Sequence, residues 1–388
     1  VSSLRTTGAD TGTSADTDLS RARRLVLKVG SALLAQDDGQ LRREWLDALA
    51  RDVAELRSAG IDVLIVSSGA IAVGRRLLGL ARGPRNRVLR LDESQAAAAT
   101  GQVQLAHAWQ EVLGRHRIPV AQILLTTDDT EDRRRHLNAR NTIATLLRLG
   151  VVPVINENDT VATEEIRFGD NDRLAARVAQ MMGADTCVIL SDIDGLYTAD
   201  PTRDPSATHI ARVETITPDI EAMAGDTAGD DGSGGMITKI EAARVALQAG
   251  CRLAISDGRD LHPLKRLIEG ERATWFLPQG EPHTARKRWI AGSLKPVGTI
   301  VVDQGAAGAL ARGKSLLPAG VTDVIGVFER GDPVIVAGAD GAEIARGLIA
   351  YGSTDAQRIR GRQSDEIEGI LGYRGREEMI HRDDLVES

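Results

Sequence analysis

Residues 24–30 read RLVLKVG, and residues 61–66 read IDVLIV. Each is a short, continuous apolar run rich in β-branched residues, as a strand covered by helices on both faces requires. Between them, about Leu41 to Ala59 carries a helical apolar pattern and stops at Gly60, the residue type that most readily ends a helix. Strand, helix and strand in succession form a βαβ unit, which builds parallel sheet. The same punctuation recurs outward from this unit. VAQILLT (120–126), VVPVI (151–155), TCVIL (186–190) and CRLAIS (251–256) read as further strands, each preceded by a helical segment. The expected fold is α/β, a mostly parallel open sheet sandwiched by helices.

The pattern changes after the strand-like WFL (275–277). Residues 278–296 carry Pro, Gly and basic residues and read as a linker. From Val297 the signals are short strands and turns, in GTIVVDQGA, VIGVFERGDPVIVAG and GAEIARGLIAYGS, with one helical piece at about Ser353 to Arg360. The expected organisation is a disordered leader over 1–21, an α/β domain over 22–277, a linker over 278–296 and a small β-rich domain over 297–388. A chain of 388 residues suits two domains. Hydrophobic residues at 42% and charged residues at 27% fit a water-soluble globular protein, and a net charge of -7 gives no global pull toward nucleic acid or anionic membrane. No run approaches the roughly 20 apolar residues of a membrane span. Cys187 and Cys251 each sit in an apolar stretch and read as buried thiols of a reducing compartment, so the expected location is cytoplasmic.

In open α/β sheets ligands gather where strands end. The first strand ends Lys28-Val29-Gly30-Ser31, a lysine beside a glycine that lets phosphate approach the backbone; taken alone, a solvated lysine is the favoured reading. The second ends Ser67-Ser68-Gly69-Ala70, small residues opening a helix, which suit an anion site or a simple N-cap. VVPVI runs into Asn156-Glu157-Asn158-Asp159, four polar residues that packing does not explain and that suit an ammonium group or hydrated Mg²⁺. Gly169-Asp170-Asn171-Asp172 opens another helix and could cap it. Ser191-Asp192 follows TCVIL, and the Gly- and Asp-rich segment 225–239 leads to Lys239 as a lid over phosphates or a disordered surface loop. Gly308 to Ser315 matches the P-loop spacing, but its helix precedes Gly313 and Pro318 follows. A true P-loop has its helix after the lysine, so Gly313 reads as a helix C-cap instead.

Together LVLKVGS, IVSSGAIAVG, HLNARNT, VPVINENDTVA, FGDND, SDIDGLYTADP, GSGGMITK and RKRWI resemble the amino-acid kinase family, and within it the glutamate 5-kinases, in the family's order from Leu25 to Ile290. The region after Val297 resembles a PUA domain. The resemblance implies ATP-dependent phosphorylation of the γ-carboxylate of L-glutamate, the first step toward proline, with Mg²⁺ as cofactor. It places Lys28 and Lys239 about the transferring phosphoryl group, with Asp172 holding both lysines. It gives Ser68, Gly69, Ala70, Asp159 and Asn171 to glutamate. It gives Lys28, Ser191, Asp192, Ser233, Gly234, Gly235, Met236, Ile237, Thr238 and Lys239 to ATP. It further implies a homo-oligomer and feedback inhibition by proline at the glutamate pocket. Two alternatives remain. A kinase for acetylglutamate, aspartate or a nucleotide would share the lysines, although NENDTVA and the second domain argue against it. An RNA-binding regulator is disfavoured because acids outnumber bases after Val297.

Overall fold

The computed structural model describes residues 4–6, 18–36, 38–80, 89–161, 170–224, 235–279 and 296–387. The expected linker and RKRWI lie almost wholly outside these residues, as does most of the expected leader. The chain forms two compact units, Val1–Glu131 with Ala139–Pro282, and Asp132–Asn138 with His283–Ser388.

In the first unit the strands are β1 (Leu4–Thr6), β2 (Arg24–Val29), β3 (Asp62–Ser67), β4 (Val120–Leu125), β5 (Val152–Glu157), β6 (Thr186–Ser191), β7 (Leu196–Tyr197), β8 (His209–Val213), β9 (Arg252–Asp257) and β10 (Ala273–Phe276). Their order is β1-β8-β10-β9-β6-β2-β3-β5-β4, with β7 beside β8. The run β9-β6-β2-β3-β5-β4 is parallel throughout. The strand β10 lies antiparallel to β9 and parallel to β8, closing that side. The helices are α1 (Ser31–Leu34), α2 (Arg43–Ser58), α3 (Ala70–Leu77), α4 (Leu91–Gly114), α5 (Thr127–Glu131), α6 (Arg133–Arg148, in this unit from Ala139), α7 (Asp170–Met182), α8 (Pro218–Met223), α9 (Met236–Gln248) and α10 (Pro263–Ile268).

Two apolar layers sandwich the sheet. Leu25, Leu27 and Val29 of β2 face Trp45 of α2 and Trp109 of α4, and Val26 belongs to the opposite layer with Ala175 and Val178 of α7. Strand alternation therefore sends Lys28 to the α7 side. The expected leader reached too far. Leu19 is fully buried in the first layer, Leu19–Arg21 is a turn of 3-10 helix capped by Asp18, and Leu4–Thr6 pairs with β8. A single apolar residue among Ser, Thr and Asp leaves too little periodicity to reveal such docking.

The second unit holds a five-stranded sheet of β11 (Gly298–Val302), β12 (Val321–Gly326), β13 (Pro333–Ala337), β14 (Glu343–Leu348) and β15 (Leu385–Glu387), in the order β12-β11-β13-β14-β15. All neighbours are antiparallel except β11 and β13. The P-loop spacing has no P-loop geometry: helix Gln304–Leu310 comes first, Gly313 follows with φ of 69°, and Pro318 opens a 3-10 turn.

Candidate active site

The site is assembled at the carboxyl ends of four neighbouring strands, β6, β2, β3 and β5. Ser191 ends β6, Lys28 lies near the end of β2, Ser67 ends β3, and Asn156 lies near the end of β5. Helices leaving such strand ends point N-terminal N–H groups into the same crevice.

At its centre Lys28 Nζ lies 2.6 Å from Asp172 Oδ1, and Lys239 Nζ lies 3.3 Å from Asp172 Oδ2. Asp172 is 0% exposed, Lys28 7% and Lys239 5%. The carboxylate stands in the first turn of α7, and Lys239 stands one turn into α9. Thr238 Oγ1 adds a donor 3.3 Å from Asp172 Oδ2. Burial pushes the Asp172 carboxyl up, and the two ammonium groups more than cancel this, leaving it below the usual carboxylate range. Burial pulls the Lys239 ammonium below the usual lysine value, with Asp172 acting in the opposite direction. Two cations on one anion leave an excess of positive charge in a poorly hydrated place, which suits a polyanion. A solvated Lys28 is ruled out by its burial.

Beside this cluster Asn171 Nδ2 donates to Ser68 Oγ at 2.9 Å and to Asn156 Oδ1 at 3.2 Å. The Ser68 hydroxyl, accepting there, can give its own proton to a carboxylate. Gly69 takes φ of 95°, a left-handed turn that glycine adopts without strain, and α3 begins at Ala70. The N-cap is thus Gly69, so neither Ser67 nor Ser68 has that role. Ser67 Oγ instead accepts from Trp109 Nε1 at 3.0 Å, in the core. Asn171 likewise turns its side chain to Ser68 and Asn156. The approach of α3 is set by α4: a Cβ on Gly74 would lie 1.7 Å from the Ala97 carbonyl oxygen, and one on Gly101 would lie 1.8 Å from the Ala70 oxygen. Asp159 is buried in the turn after β5.

On the other side of Lys28, Ser191 Oγ donates to Asp192 Oδ1 at 3.1 Å, and the exposed Asp192 acts electrostatically on Lys239. Gly235 is the N-cap of α9, so the N–H groups of Met236 and Ile237 open toward this end, while the Thr238 N–H donates to the Gly235 oxygen at 3.1 Å. Ser233 and Gly234 lie outside the described residues. The turn after Asp192 is pinned by Thr274, which accepts from Leu196 N at 2.7 Å and donates to the Ile210 oxygen at 2.6 Å. The expected Cys187 and Cys251 thiols are free and buried, and burial pushes both up, away from nucleophilic thiolate.

Among the described residues, no group of three or more His, Cys, Asp or Glu side chains is placed to hold a metal ion. These residues do not form a protein metal cage. No described helix is long and apolar enough to cross a membrane. Sequence reasoning missed Gln102, which accepts from Asn156 Nδ2 through Oε1 at 2.8 Å. Its signal was present: the buried positions Ala98, Leu105 and Trp109 share the stripe of α4 on which this polar residue stands.

The model of the amino acid kinase family matches residues 23–257, and that of the PUA domain matches residues 298–371. The glutamate 5-kinase of Paramagnetospirillum magneticum is 62% identical over 369 residues, covering 95% of this chain and 98% of that protein. The glutamate 5-kinase of Rhodospirillum rubrum is 62% identical over 362 residues, covering 93% and 96%. Among solved structures, carbamate kinase from Giardia lamblia bound to AMP-PNP aligns with a TM-score of 0.48 at 16% identity, covering 67% of this chain and 100% of that one.

Proposed function

The chain belongs to the amino acid kinase family, and on that premise we propose that it transfers the γ-phosphoryl group of ATP to the γ-carboxylate of L-glutamate. The products are L-glutamyl 5-phosphate and ADP, and the reaction opens the route to proline. Relatives at 62% identity over nearly their whole length carry the name glutamate 5-kinase. The observation that carries the residue assignment is the buried meeting of Lys28 and Lys239 on Asp172, flanked by Ser68 and Asn171 on one side and Ser191 on the other.

In this reading ATP lies over β6 and the start of α9, held by Ser191, Asp192, the N–H groups from Gly235 to Ile237, and the side chains of Thr238 and Lys239. Glutamate lies over β3 and β5. The Ser68 hydroxyl and the N–H groups at Gly69 and Ala70 take a carboxylate; Asp159 and Asn171 take the ammonium. The β2 strand lies between, so Lys28 stands where the two anions meet. A glutamate carboxylate is already ionised, so no general base is needed. Its oxygen bonds to the γ-phosphorus as the bond to the β,γ-bridging oxygen breaks, and ADP leaves. Catalysis is positioning and charge neutralisation. Lys28 and Lys239 offset the repulsion between carboxylate and triphosphate, and Asp172 keeps both ammonium groups aimed. Mg²⁺ enters on the nucleotide phosphates as part of the substrate. The reading carries with it a cytoplasmic location, supported by two buried thiols and by described helices too short or too polar to cross a membrane.

The test is ADP release with L-glutamate and MgATP, with the acyl phosphate trapped as hydroxamate. Release should require L-glutamate, and faster turnover of N-acetylglutamate or aspartate would overturn the substrate assignment. Proline shares the α-carboxylate and ammonium and should inhibit competitively; inhibition that glutamate does not relieve would place the effector elsewhere.

A further inference from the structure

Four side chains from four elements form one hydrogen-bonded chain, buried at its Gln102–Asn156 end and half-buried beyond it: Gln102 on α4, Asn156 on β5, Asn171 on α7 and Ser68 after β3. Its direction is set by geometry. The Glu157 backbone N–H donates to Asn156 Oδ1 at 2.9 Å, and a backbone donor cannot be flipped. The Asn156 amide must then turn its NH₂ toward Gln102, where Oε1 accepts at 2.8 Å. Asn156 Oδ1 also accepts from Asn171 Nδ2, so Asn171 turns its NH₂ inward and its oxygen away. Asn156 is 2% exposed and Gln102 8% exposed, so water cannot stand in for a lost partner. Among the described residues, Asn171 Oδ1 has no hydrogen-bond partner, although it is buried. Buried polar atoms without partners are rare and ask for an explanation.

We propose that Gln102 is a positioning residue for substrate selection: by accepting from the Asn156 NH₂ that the Glu157 N–H turns toward it, Gln102 braces the Asn156 oxygen on Asn171 Nδ2, so that Asn171 presents its own oxygen to the substrate ammonium. This rests on the assignment of Asn171 to the amino-acid substrate. Without the Gln102 acceptor the buried Asn156 NH₂ is stranded, and the side chain can find it a partner only by turning away, which gives up the Glu157 N–H and the hold on Asn171. Asn171 then loses the anchor that keeps its oxygen toward the ammonium. The contact weakens at an atom that Gln102 never touches. The side chain is held in register because its neighbour Gly101 lies against the Ala70 carbonyl at the α3–α4 crossing.

The experiment compares L-glutamate with glutarate, the same diacid without the ammonium, by ADP release in the full-length protein. Gln102→Met keeps length and removes the acceptor. It should raise KM for L-glutamate by about tenfold, the scale of one buried hydrogen bond. KM for ATP, kcat and glutarate turnover should stay within about twofold, so the preference for glutamate over glutarate falls by about tenfold. Gln102→Glu keeps an acceptor toward Asn156 and should retain the preference. An unchanged preference in Gln102→Met overturns the proposal, as does a Gln102→Glu protein that has lost it; the latter decides alone if Gln102→Met does not fold. Asn171→Leu separates the two layers. If it leaves the preference intact, the assignment of Asn171 to the ammonium fails. If it abolishes the preference and Gln102→Met does not, only the positioning role fails.

Discussion

Replacing Asp172 by asparagine removes one charge and almost no volume, which isolates the electrostatics of the centre. The carboxylate is 0% exposed and its two partners are 7% and 5% exposed, so solvent cannot rehydrate what the substitution strands. Lys28 now lies 2.6 Å and Lys239 3.3 Å from separate carboxylate oxygens. In the variant one ammonium faces an amide oxygen and the other faces an NH₂, donor against donor. Breaking a buried pair this way costs about 3–5 kcal/mol. The lower end is expected, because Lys239, already held below its ordinary value by burial, can shed its proton. Urea unfolding at pH 7 should therefore show Asp172→Asn about 3 kcal/mol less stable. The pH dependence has a definite sign. The folded pKa of Asp172 is depressed, so its stabilisation is fully present above the ordinary value of 3.8 and is lost as pH falls through the lower folded value. The gap between parent and variant should hold from pH 7 to about 4 and close in stronger acid. Lys239 is also depressed, so its unfavourable protonation is relieved as pH rises toward its ordinary 10.5, and the gap should narrow there too. Turnover should fall by about two orders of magnitude as both lysines lose their aim. A variant within about 0.5 kcal/mol of the parent at pH 7, the scale of a neutral surface change, and with normal kcat would refute this account.

Lys28→Ala and Lys239→Ala should each lower kcat by roughly two orders of magnitude or more in the coupled ADP assay; near-normal kcat would remove that lysine from the phosphoryl group. Asp159→Asn should raise KM for L-glutamate with little change in KM for ATP, and the reverse pattern would exchange the two halves of the site. Gly74→Ala drives a methyl onto the Ala97 carbonyl and should destabilise by about 1–3 kcal/mol or more in urea unfolding. Because α3 carries Ala70, that variant should also raise KM for L-glutamate; an unchanged KM would detach the helix crossing from the site. A chain ended after Gly292 should fold and keep glutamate-dependent ADP release, and a cooperatively folding but inactive product would assign the second unit a part in catalysis.

The sheet was legible because its central strands are buried on both faces, and that burial writes itself as continuous β-branched runs. RLVLKV, DVLIVS and TCVILS all became parallel strands, β2, β3 and β6. The polar residues at the ends of such runs were legible for the same reason: Lys28, Ser68 and Asn156 interrupt patterns that packing alone would have continued. Strands β7 and β8 were not legible, since they are short and carry polar or charged residues such as Tyr197, His209 and Arg212, without a long apolar run. Partnership was named in advance by the family resemblance alone, and its physical cause lies in the tertiary structure. Asp172 lies far along the chain from Lys28 and Lys239, and no local period encodes that three charges will share one buried point. Gln102 is the sharpest case. In an Ala-rich helix it reads as one polar side chain on an apolar stripe, and its meaning depends on the direction of an amide on β5. Strand and helix are set by neighbours a few residues apart, whereas the polarity of a hydrogen-bonded chain is set by atoms that meet only after the whole sheet has closed.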